Sequence, residues 1–487
     1  MISELTHKVS LRNHTVIPDK LRSSADPGSI VERDAFDGSR VKPGMTARFR
    51  ENPERPERNG DADPMPAAFA ISPASDLIDV PRRIALSGLP AGAEVTIAAE
   101  TLRDGHLWRA EAVFAAAADG SVDLERDAPL RGDYEGVATM GLIWAQTGQG
   151  ELFPADLSRP LETTLTAEIG GETIATGRFS QILMAEGVTR HPLAEDGLVG
   201  TLFLPAGAGP HSAIMILNGS GGGINEPRAA LWASRGVAAL ALGYFGAPGL
   251  PKYISNTPLE YFARGLDWLR ARVRPKNGFV AVAGQSRGGE LALLLGATFP
   301  DKVSAVLGYV PSAFVHGGQA AADPAFGRDG PGWTLDGKPL VHQWQDNATA
   351  SWETYDEATE TRRNADAMRT ALGDPVAMAR ARIPVERIAG PVLLLSGGDD
   401  GAWPSDLYSL IVQSSLLAAG HPHEVLWRNW PAAGHSILFP HTPATRIAHR
   451  HPVSGIATTM GGTPAANAEA NAGAWEAALA FVRRHGA

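Results

Sequence analysis

The stretch of chain around Ser286 constrains the fold more than any other feature of the sequence. An apolar, β-branched run beginning at Phe279 ends at Gly284, and an Ala/Leu-rich helical pattern begins just past Gly288. Ser286 therefore lies on a tight strand-to-helix turn, the G-x-S-x-G elbow that exposes a nucleophilic serine at the edge of an α/β sheet. Such a turn strains the serine backbone, and the two glycines lack the Cβ atoms that would collide there.

The same pattern has a simpler interpretation, a glycine-rich connection with an idle serine, because the chain contains 54 glycines. Its placement between a buried strand and a helix favours the nucleophile. The helix that follows also directs the positive end of its dipole at Ser286, where an oxyanion would form. The elbow therefore predicts a serine hydrolase on a parallel α/β sheet.

Composition narrows the class of partner. The 487-residue chain is long enough for two or three domains, and its net charge of −10 argues against nucleic acid or an anionic membrane surface as the main partner. No apolar run approaches the roughly 18–20 residues that a membrane span needs. The N-terminus lacks the charged-then-apolar pattern of a signal peptide, so we expect a cytoplasmic location.

The chain has no cysteine, which excludes disulfides, thiolate metal sites and a cysteine nucleophile. It also lacks the H-E-x-x-H, P-loop and dinucleotide-binding patterns, so we expect neither a metal nor a cofactor. The tightest histidine cluster, His449-Arg-His451-Pro, is predicted to lie in a surface loop rather than to bind a metal.

The first part of the chain differs from the rest. Residues 1–65 are rich in Arg, Asp, Pro and Gly, and the stretch from Arg48 to Gly60 is almost wholly polar. Such a segment cannot bury enough apolar surface to offset the entropy of ordering it. We predict a disordered N-terminal extension, or a segment upstream of a start at Met65.

Residues 66–185 show short alternating strands punctuated by turns, such as those beginning at Arg83, Glu94 and Leu107. Strands that recur roughly every ten residues without intervening helices are typical of an antiparallel β-sandwich. We therefore predict a β-sandwich domain over residues 66–185.

Residues 186–487 alternate strands with helices, which predicts a doubly wound parallel sheet. The clearest helical patterns are near Glu226–Arg235 and Pro258–Arg272, and a C-terminal helix is expected near Asn467–Arg484. Residues 311–388 are polar and poor in strand signal, so this segment is predicted to be an insertion or lid over the site.

A histidine and an acid complete the predicted catalytic set. In an α/β-hydrolase the acid follows a late strand and the histidine follows the last strand, in the order Ser, Asp, His. One apolar run leads into Asp399 and Asp400, and the next leads into His435. We predict His435 as the base and Asp400 as the acid that orients it, with Asp399 as the rival acid. The alternatives are a loop histidine and an Asx-turn.

The oxyanion hole is predicted to combine two backbone amides. One is the N–H of Arg287, directly after the nucleophile, and the other comes from the loop after an early strand. That loop here runs from Leu217 to Gly223, and Ser220 is the predicted donor by position. The alternative is a flexible turn with no part in the chemistry.

Taken together, these residues resemble the acyl-CoA thioesterase and bile acid-CoA:amino acid N-acyltransferase family over about residues 70–485. The resemblance also covers non-catalytic stretches that a generic hydrolase would not share, beginning at Gly132, Met140, Gly200, Thr257 and Ile383. It implies an immunoglobulin-like domain before an α/β-hydrolase domain, with a triad of Ser286, Asp400 and His435. Residues 311–388 are longer than the family's usual connection, and residues 1–65 have no counterpart in it.

The resemblance also implies a reaction. Acyltransferase members use a cysteine nucleophile, and a serine acyl-ester is less reactive towards amines than a cysteine thioester. Water is then the expected acceptor, and the implied activity is hydrolysis of acyl-CoA to a free acid and CoA. Three alternatives stay open: a carboxylesterase or lactone hydrolase, an acyl-CoA:amino acid N-acyltransferase, and a non-catalytic binding protein. The acyl chain and the oligomeric state are left open.

Overall fold

The computed structural model describes residues 66–353 and 361–486. The predicted N-terminal extension, residues 1–65, lies outside the described residues. Within them, no helix combines the length and the apolar character that crossing a membrane would require.

The first part of the described chain is a β-sandwich. Its single short helix is α1 (Gly141–Trp144), and its strands are β1 (Ala68–Ser72), β2 (Ser75–Leu77), β3 (Arg83–Ser87), β4 (Glu94–Arg103), β5 (His106–Ala115), β6 (Val122–Asp123), β7 (Arg131–Gly132), β8 (Thr147–Gly148), β9 (Leu161–Ile169) and β10 (Glu172–Ile182).

Two sheets enclose the core of this sandwich. One has the strand order β1-β3-β6, and the other has the order β2-β10-β9-β4-β5-β7, with β8 also paired to β5. Buried and exposed residues alternate along β4 and β5, because one face of the sheet packs on the core and the other meets solvent. The strand pairings of this sandwich are antiparallel, as predicted, except that β2 pairs with β10 in parallel. Its immunoglobulin-like topology and the domain boundaries stay predictions.

The second part is an α/β structure. Its strands are β11 (Thr189–Glu195), β12 (Leu198–Leu204), β13 (Ala213–Leu217), β14 (Ala238–Gly243), β15 (Thr257–Pro258), β16 (Val280–Gln285), β17 (Ala305–Tyr309), β18 (Trp333–Leu335), β19 (Lys338–Pro339), β20 (Val392–Gly397), β21 (Val425–Trp430), β22 (Ala448–Arg450) and β23 (Ala457–Thr459). Its helices are α2 (Glu226–Ser234), α3 (Leu259–Val273), α4 (Arg287–Thr298), α5 (Asn364–Ala371), α6 (Pro375–Ala381), α7 (Ser405–Ala418) and α8 (Pro464–Gly486).

An eight-stranded sheet with the order β11-β12-β14-β13-β16-β17-β20-β21 forms the centre. The pairings of β12 with β11 and β14 are antiparallel, and the pairings from β14 to β21 are parallel. The central strands are buried on both faces because helices cover both sides, as a doubly wound sheet requires. This is the α/β-hydrolase fold, as the sequence predicted.

The local sequence explains where the helices begin and which face of each is buried. Helix α2 begins after Asn225, whose side chain accepts a hydrogen bond from the Arg228 backbone N–H. Helix α3 buries one face at Leu259, Phe262 and Leu266, and each such side chain contributes about 1.5–3 kcal/mol on burial. The predicted helices agree with α2 and α3 to within one residue, whereas α8 begins three residues before the predicted start at residue 467.

A buried carboxylate joins the sandwich side of the chain to two helices of the α/β part. Asp79 accepts two hydrogen bonds from Arg235 (2.6 and 2.8 Å) and one from the Trp475 indole (2.7 Å). Its side chain is only 3% exposed. Trp475 in turn packs on Trp232 of α2, with ring centroids 4.8 Å apart. One side chain between β2 and β3 is therefore bonded to the end of α2 and to α8.

Removing this carboxylate tests how strongly it holds the two parts together. Asp79→Ala leaves Arg235 and Trp475 without their shared acceptor, and we expect the free energy of unfolding to fall by about 2–3 kcal/mol in urea titrations. Asp267→Ala is the matched control, since Asp267 pairs with Lys302 on the surface, and it should change stability by no more than about 0.5 kcal/mol. Equal effects of the two substitutions would show that Asp79 has no special role.

Candidate active site

Ser286 lies on the elbow that the sequence predicted, between β16 and α4. Its backbone has φ 57° and ψ −120°, a conformation that side-chain-bearing residues rarely adopt. A Cβ on Gly284 would overlap the carbonyl oxygen of Gly288, and a Cβ on Gly288 would lie 2.5 Å from the carbonyl oxygens of Leu217 and Asn218. Both flanking glycines are therefore required by contact with neighbouring backbone.

His435 and Asp400 meet at the carboxyl ends of the neighbouring strands β20 and β21. The Asp400 Oδ2 is 2.8 Å from the His435 Nδ1, and both side chains are buried. The Asp400 Oδ1 accepts from the backbone N–H groups of Ala402 and Trp403, which fixes the carboxylate plane. The Trp403 ring packs edge-on against His435, with centroids 5.6 Å apart. The imidazole is thus held by both a hydrogen bond and an aromatic contact.

Asp399 points elsewhere. One of its carboxylate oxygens accepts from Arg363 (2.9 Å) and the other from the Gly462 backbone N–H (2.9 Å). Its side chain is 49% exposed, whereas that of Asp400 is 1% exposed. Between the two acids that the sequence left in competition, the structure therefore places Asp400 on the histidine.

The loop after β13 approaches Ser286 from the other side. A Cβ on Gly219 would lie 3.9 Å from the Ser286 Oγ, so backbone passes close to the hydroxyl. The loop is held by hydrogen bonds from the Tyr244 hydroxyl to the Asn218 carbonyl (2.8 Å) and from the Gly222 N–H to the Gly219 carbonyl (3.1 Å). These bonds give the loop a defined conformation and oppose its interpretation as a flexible turn.

Arg287 begins helix α4 directly after Ser286. The N–H groups of Gly289 and Glu290 donate to the Ser286 carbonyl, so the N–H of Arg287 precedes the helical hydrogen-bond ladder. Such an unused N–H at a helix start is suited to an anion.

The side chain of Arg287 turns inward to a buried ion pair. It lies 2.9 Å from the carboxylate of Glu290, and both side chains are almost completely buried. Glu290 also accepts from the His316 backbone N–H (3.0 Å) and from the Trp333 indole (2.8 Å). Burial raises the pKa of Glu290, and the Arg287 charge opposes that shift. Helix α4 is thereby fastened to the segment that follows β17.

A cavity of about 370 Å³ contains Ser286 and His435 in its wall. Asn218, Gly219 and Ser220 line it from the loop after β13. The predicted insertion, residues 311–388, contributes five more lining residues: Gly318, Gln319, Ala320, Asn364 and Met368. The described part of this segment therefore forms one wall of the cavity.

The histidine pair near the C-terminus corrects the sequence prediction. His449 and His451 were expected in a surface loop. Both line the cavity, where His449 is exposed but His451 is only 9% exposed. The β22–β23 hairpin carries His449, and its turn begins at His451, whose Nε2 lies 3.0 Å from the Ser220 Oγ. The prediction was wrong for His451, because its partner Ser220 is 231 residues away in the chain.

In the part of the chain that the structure describes, no three His, Cys, Asp or Glu side chains lie close enough together to bind a metal ion. Burial lowers the pKa of His449, with His435 adding to the effect. The polar groups around Ser286 are thus a histidine-carboxylate pair, backbone amides and imidazoles that stay neutral.

Two family models match most of the chain. The model described as "Acyl-CoA thioester hydrolase/BAAT N-terminal region" matches residues 79–195, and "BAAT / Acyl-CoA thioester hydrolase C terminal" matches residues 257–487. The chain is 32% identical to acyl-coenzyme A thioesterase 1 of Homo sapiens over 434 residues, covering 86% of this chain and 97% of that protein.

Two further relatives have different names. Mitochondrial acyl-coenzyme A thioesterase 2 of Mus musculus is 32% identical over 423 residues, covering 83% of this chain and 86% of that protein. Peroxisomal succinyl-coenzyme A thioesterase of Mus musculus is 30% identical over 434 residues, covering 86% and 97%. The sandwich, the α/β-hydrolase sheet and these matches lead to one conclusion: the chain belongs to the acyl-CoA thioester hydrolase/BAAT family.

Proposed function

We propose that this protein hydrolyses acyl-CoA thioesters to a free carboxylic acid and CoA, with Ser286 as the nucleophile. The observation that carries the proposal is the 2.8 Å bond between Asp400 and His435, beside a cavity into which the strained elbow presents Ser286. Its relatives are named acyl-CoA thioesterases, which supports the thioester as the bond that is cleaved. The partner is a small-molecule thioester, and no cofactor takes part.

The first half-reaction forms an acyl-enzyme. His435 takes the proton from the Ser286 hydroxyl through its Nε2, and the serine oxygen attacks the thioester carbonyl carbon. The carbonyl π electrons move to oxygen, and the N–H groups of Arg287 and Ser220 stabilise the resulting oxyanion. Collapse of this intermediate breaks the carbon–sulfur bond, and the CoA sulfur leaves with the proton from His435.

The second half-reaction uses water. His435 removes a proton from a water molecule as the water oxygen attacks the carbonyl carbon of the Ser286 ester. His435 then gives this proton to the Ser286 oxygen when the carboxylic acid leaves. Asp400 keeps the His435 Nδ1 protonated throughout, so the Nε2 keeps its lone pair available to accept the Ser286 proton. The two backbone N–H bonds to Asp400 hold that orientation between steps.

Water is proposed as the acceptor because the nucleophile is a serine. The family description also names acyltransferases. In a chain without cysteine the acyl-enzyme is a serine oxyester, which amines attack less readily than a cysteine thioester.

The location of the protein in the cell is a separate question. The cytoplasmic location stays a prediction from the sequence, and two relatives carry mitochondrial and peroxisomal names.

Replacing the nucleophile tests the reaction class. We expect Ser286→Ala to lose several orders of magnitude in kcat for acyl-CoA, measured as thiol release over a panel from acetyl-CoA to palmitoyl-CoA, with an unchanged melting curve. The wild type should also turn over acyl-CoA faster than the matching p-nitrophenyl ester. Faster ester cleavage would favour the carboxylesterase alternative, and more than a tenth of wild-type activity in the variant would exclude Ser286.

The two neighbouring acids offer a matched pair of variants. Asp400→Asn should lower kcat by roughly 10⁴-fold, because an amide stabilises the wrong tautomer of His435. Asp399→Asn is the control, since its contacts are with Arg363 and Gly462, and it should stay within about threefold of wild type. Steady-state thiol release from both proteins decides between them, and a larger loss at Asp399 would reverse the assignment.

A further inference from the structure

The β22–β23 hairpin holds His451 directly over the loop after β13. The His451 N–H donates to the Ile456 carbonyl, and the Gly455 N–H donates to the His451 carbonyl, so the backbone on both sides of the ring is fixed. The ring is buried, and its Nε2 is 3.0 Å from the Ser220 Oγ. None of the chemical steps above uses this contact.

The hydrogen bonds of His451 determine where its proton lies. Its Nδ1 accepts from the backbone N–H groups of Val453 (3.2 Å) and Ser454 (3.3 Å), so this nitrogen carries the lone pair. Burial lowers the pKa of His451 to about 4, with His449 and Arg287 adding to the effect, so the ring is neutral at pH 7. The single ring proton is therefore on Nε2, and Nε2–H donates to Ser220.

This direction has a consequence for Ser220. A hydroxyl that accepts from His451 must direct its own proton away from the ring. Within residues 66–353 and 361–486, the Ser220 Oγ has no hydrogen-bond partner other than His451. Ser220 lines the cavity that also contains Ser286, and the adjacent Gly219 lies near the nucleophile, since a Cβ built on it would be 3.9 Å from the Ser286 Oγ.

We propose that the Ser220 hydroxyl is a third donor to the oxyanion, in addition to the backbone amides of Ser220 and Arg287, and that His451 is the positioning residue that aims it. The inference rests on the proposed thioester hydrolysis through Ser286. The contributions of the Ser220 hydroxyl and the Ser220 backbone amide can be separated, because substitution by alanine removes the hydroxyl and leaves the amide in place. It also gives the β22–β23 hairpin, which carries His451 at its turn, a role in the chemistry.

The test is a double-mutant cycle on the acyl-CoA that the wild type hydrolyses fastest. Ser220→Ala should lower kcat by about 10²-fold with KM changed by less than about threefold, because a donor that acts on the oxyanion is used only in the transition state. His451→Phe should give a similar loss. The double variant should be no worse than Ser220→Ala alone, because His451 acts through Ser220.

Two further variants control for structure. His451→Gln keeps an N–H donor and should recover most of the activity that His451→Phe loses. His421→Phe removes a comparable bond from a histidine ring to the Gly390 carbonyl, outside the cavity wall, and should stay within about twofold of wild type. Should His451→Phe fail to fold, Ser220→Ala alone still tests the hydroxyl.

The outcomes separate this inference from the proposed function. An inactive Ser286→Ala together with a Ser220→Ala that keeps kcat within about threefold of wild type overturns the third donor alone. Additive losses in the double variant overturn the positioning role of His451, because they would show that the ring acts independently. An active Ser286→Ala would instead remove the proposed function itself.

Discussion

The close approach of three backbone segments at the elbow is the constraint on which the site depends. The end of β16 at Gly284, the first turn of α4 at Gly288 and the end of β13 at Leu217 lie so near one another that a Cβ on either glycine would meet a carbonyl oxygen. Ser286 accepts a positive φ as the result. The strain is tolerated because β16 is buried between β13 and β17 and cannot shift.

A buried ion pair extends that constraint to the cavity wall. Arg287 and Glu290 lie within α4, and Glu290 is also bonded to His316 and Trp333 in the segment after β17. A buried pair of this kind adds little net stability, since desolvation offsets much of the attraction. The pair instead fixes geometry, because Glu290 accepts hydrogen bonds both from Arg287, next to Ser286, and from the segment after β17.

Much of this arrangement could be predicted from the sequence because it is encoded locally. The apolar run before Ser286 and the helical pattern after it identify the elbow, and the chain order places His435 after the last strand. The sequence analysis favoured Asp400 over Asp399, but local pattern could not exclude Asp399. Adjacent residues in a turn share the same pattern, and only the direction of each side chain separates them.

Contacts between distant parts of the chain account for what the sequence did not predict. The short hairpin strands around His451 carry no apolar alternation, and its partner Ser220 is on another loop. The described part of residues 311–388 likewise depends on acceptors in α4, such as Glu290, that no local pattern reveals. Periodicity identifies elements that bury a face, whereas these segments are positioned by single polar contacts.

Active-site labelling tests the central claim most directly, that one serine performs the hydrolysis of acyl-CoA. A fluorophosphonate should modify one residue per chain, and peptide mass spectrometry should locate the adduct on Ser286. The fraction of acyl-CoA hydrolysis that is lost should equal the fraction of chains that are labelled. Added acyl-CoA should slow both the labelling and the loss of activity. Complete labelling of Ser286 with hydrolysis retained, or inactivation with the adduct on another residue, would contradict the account.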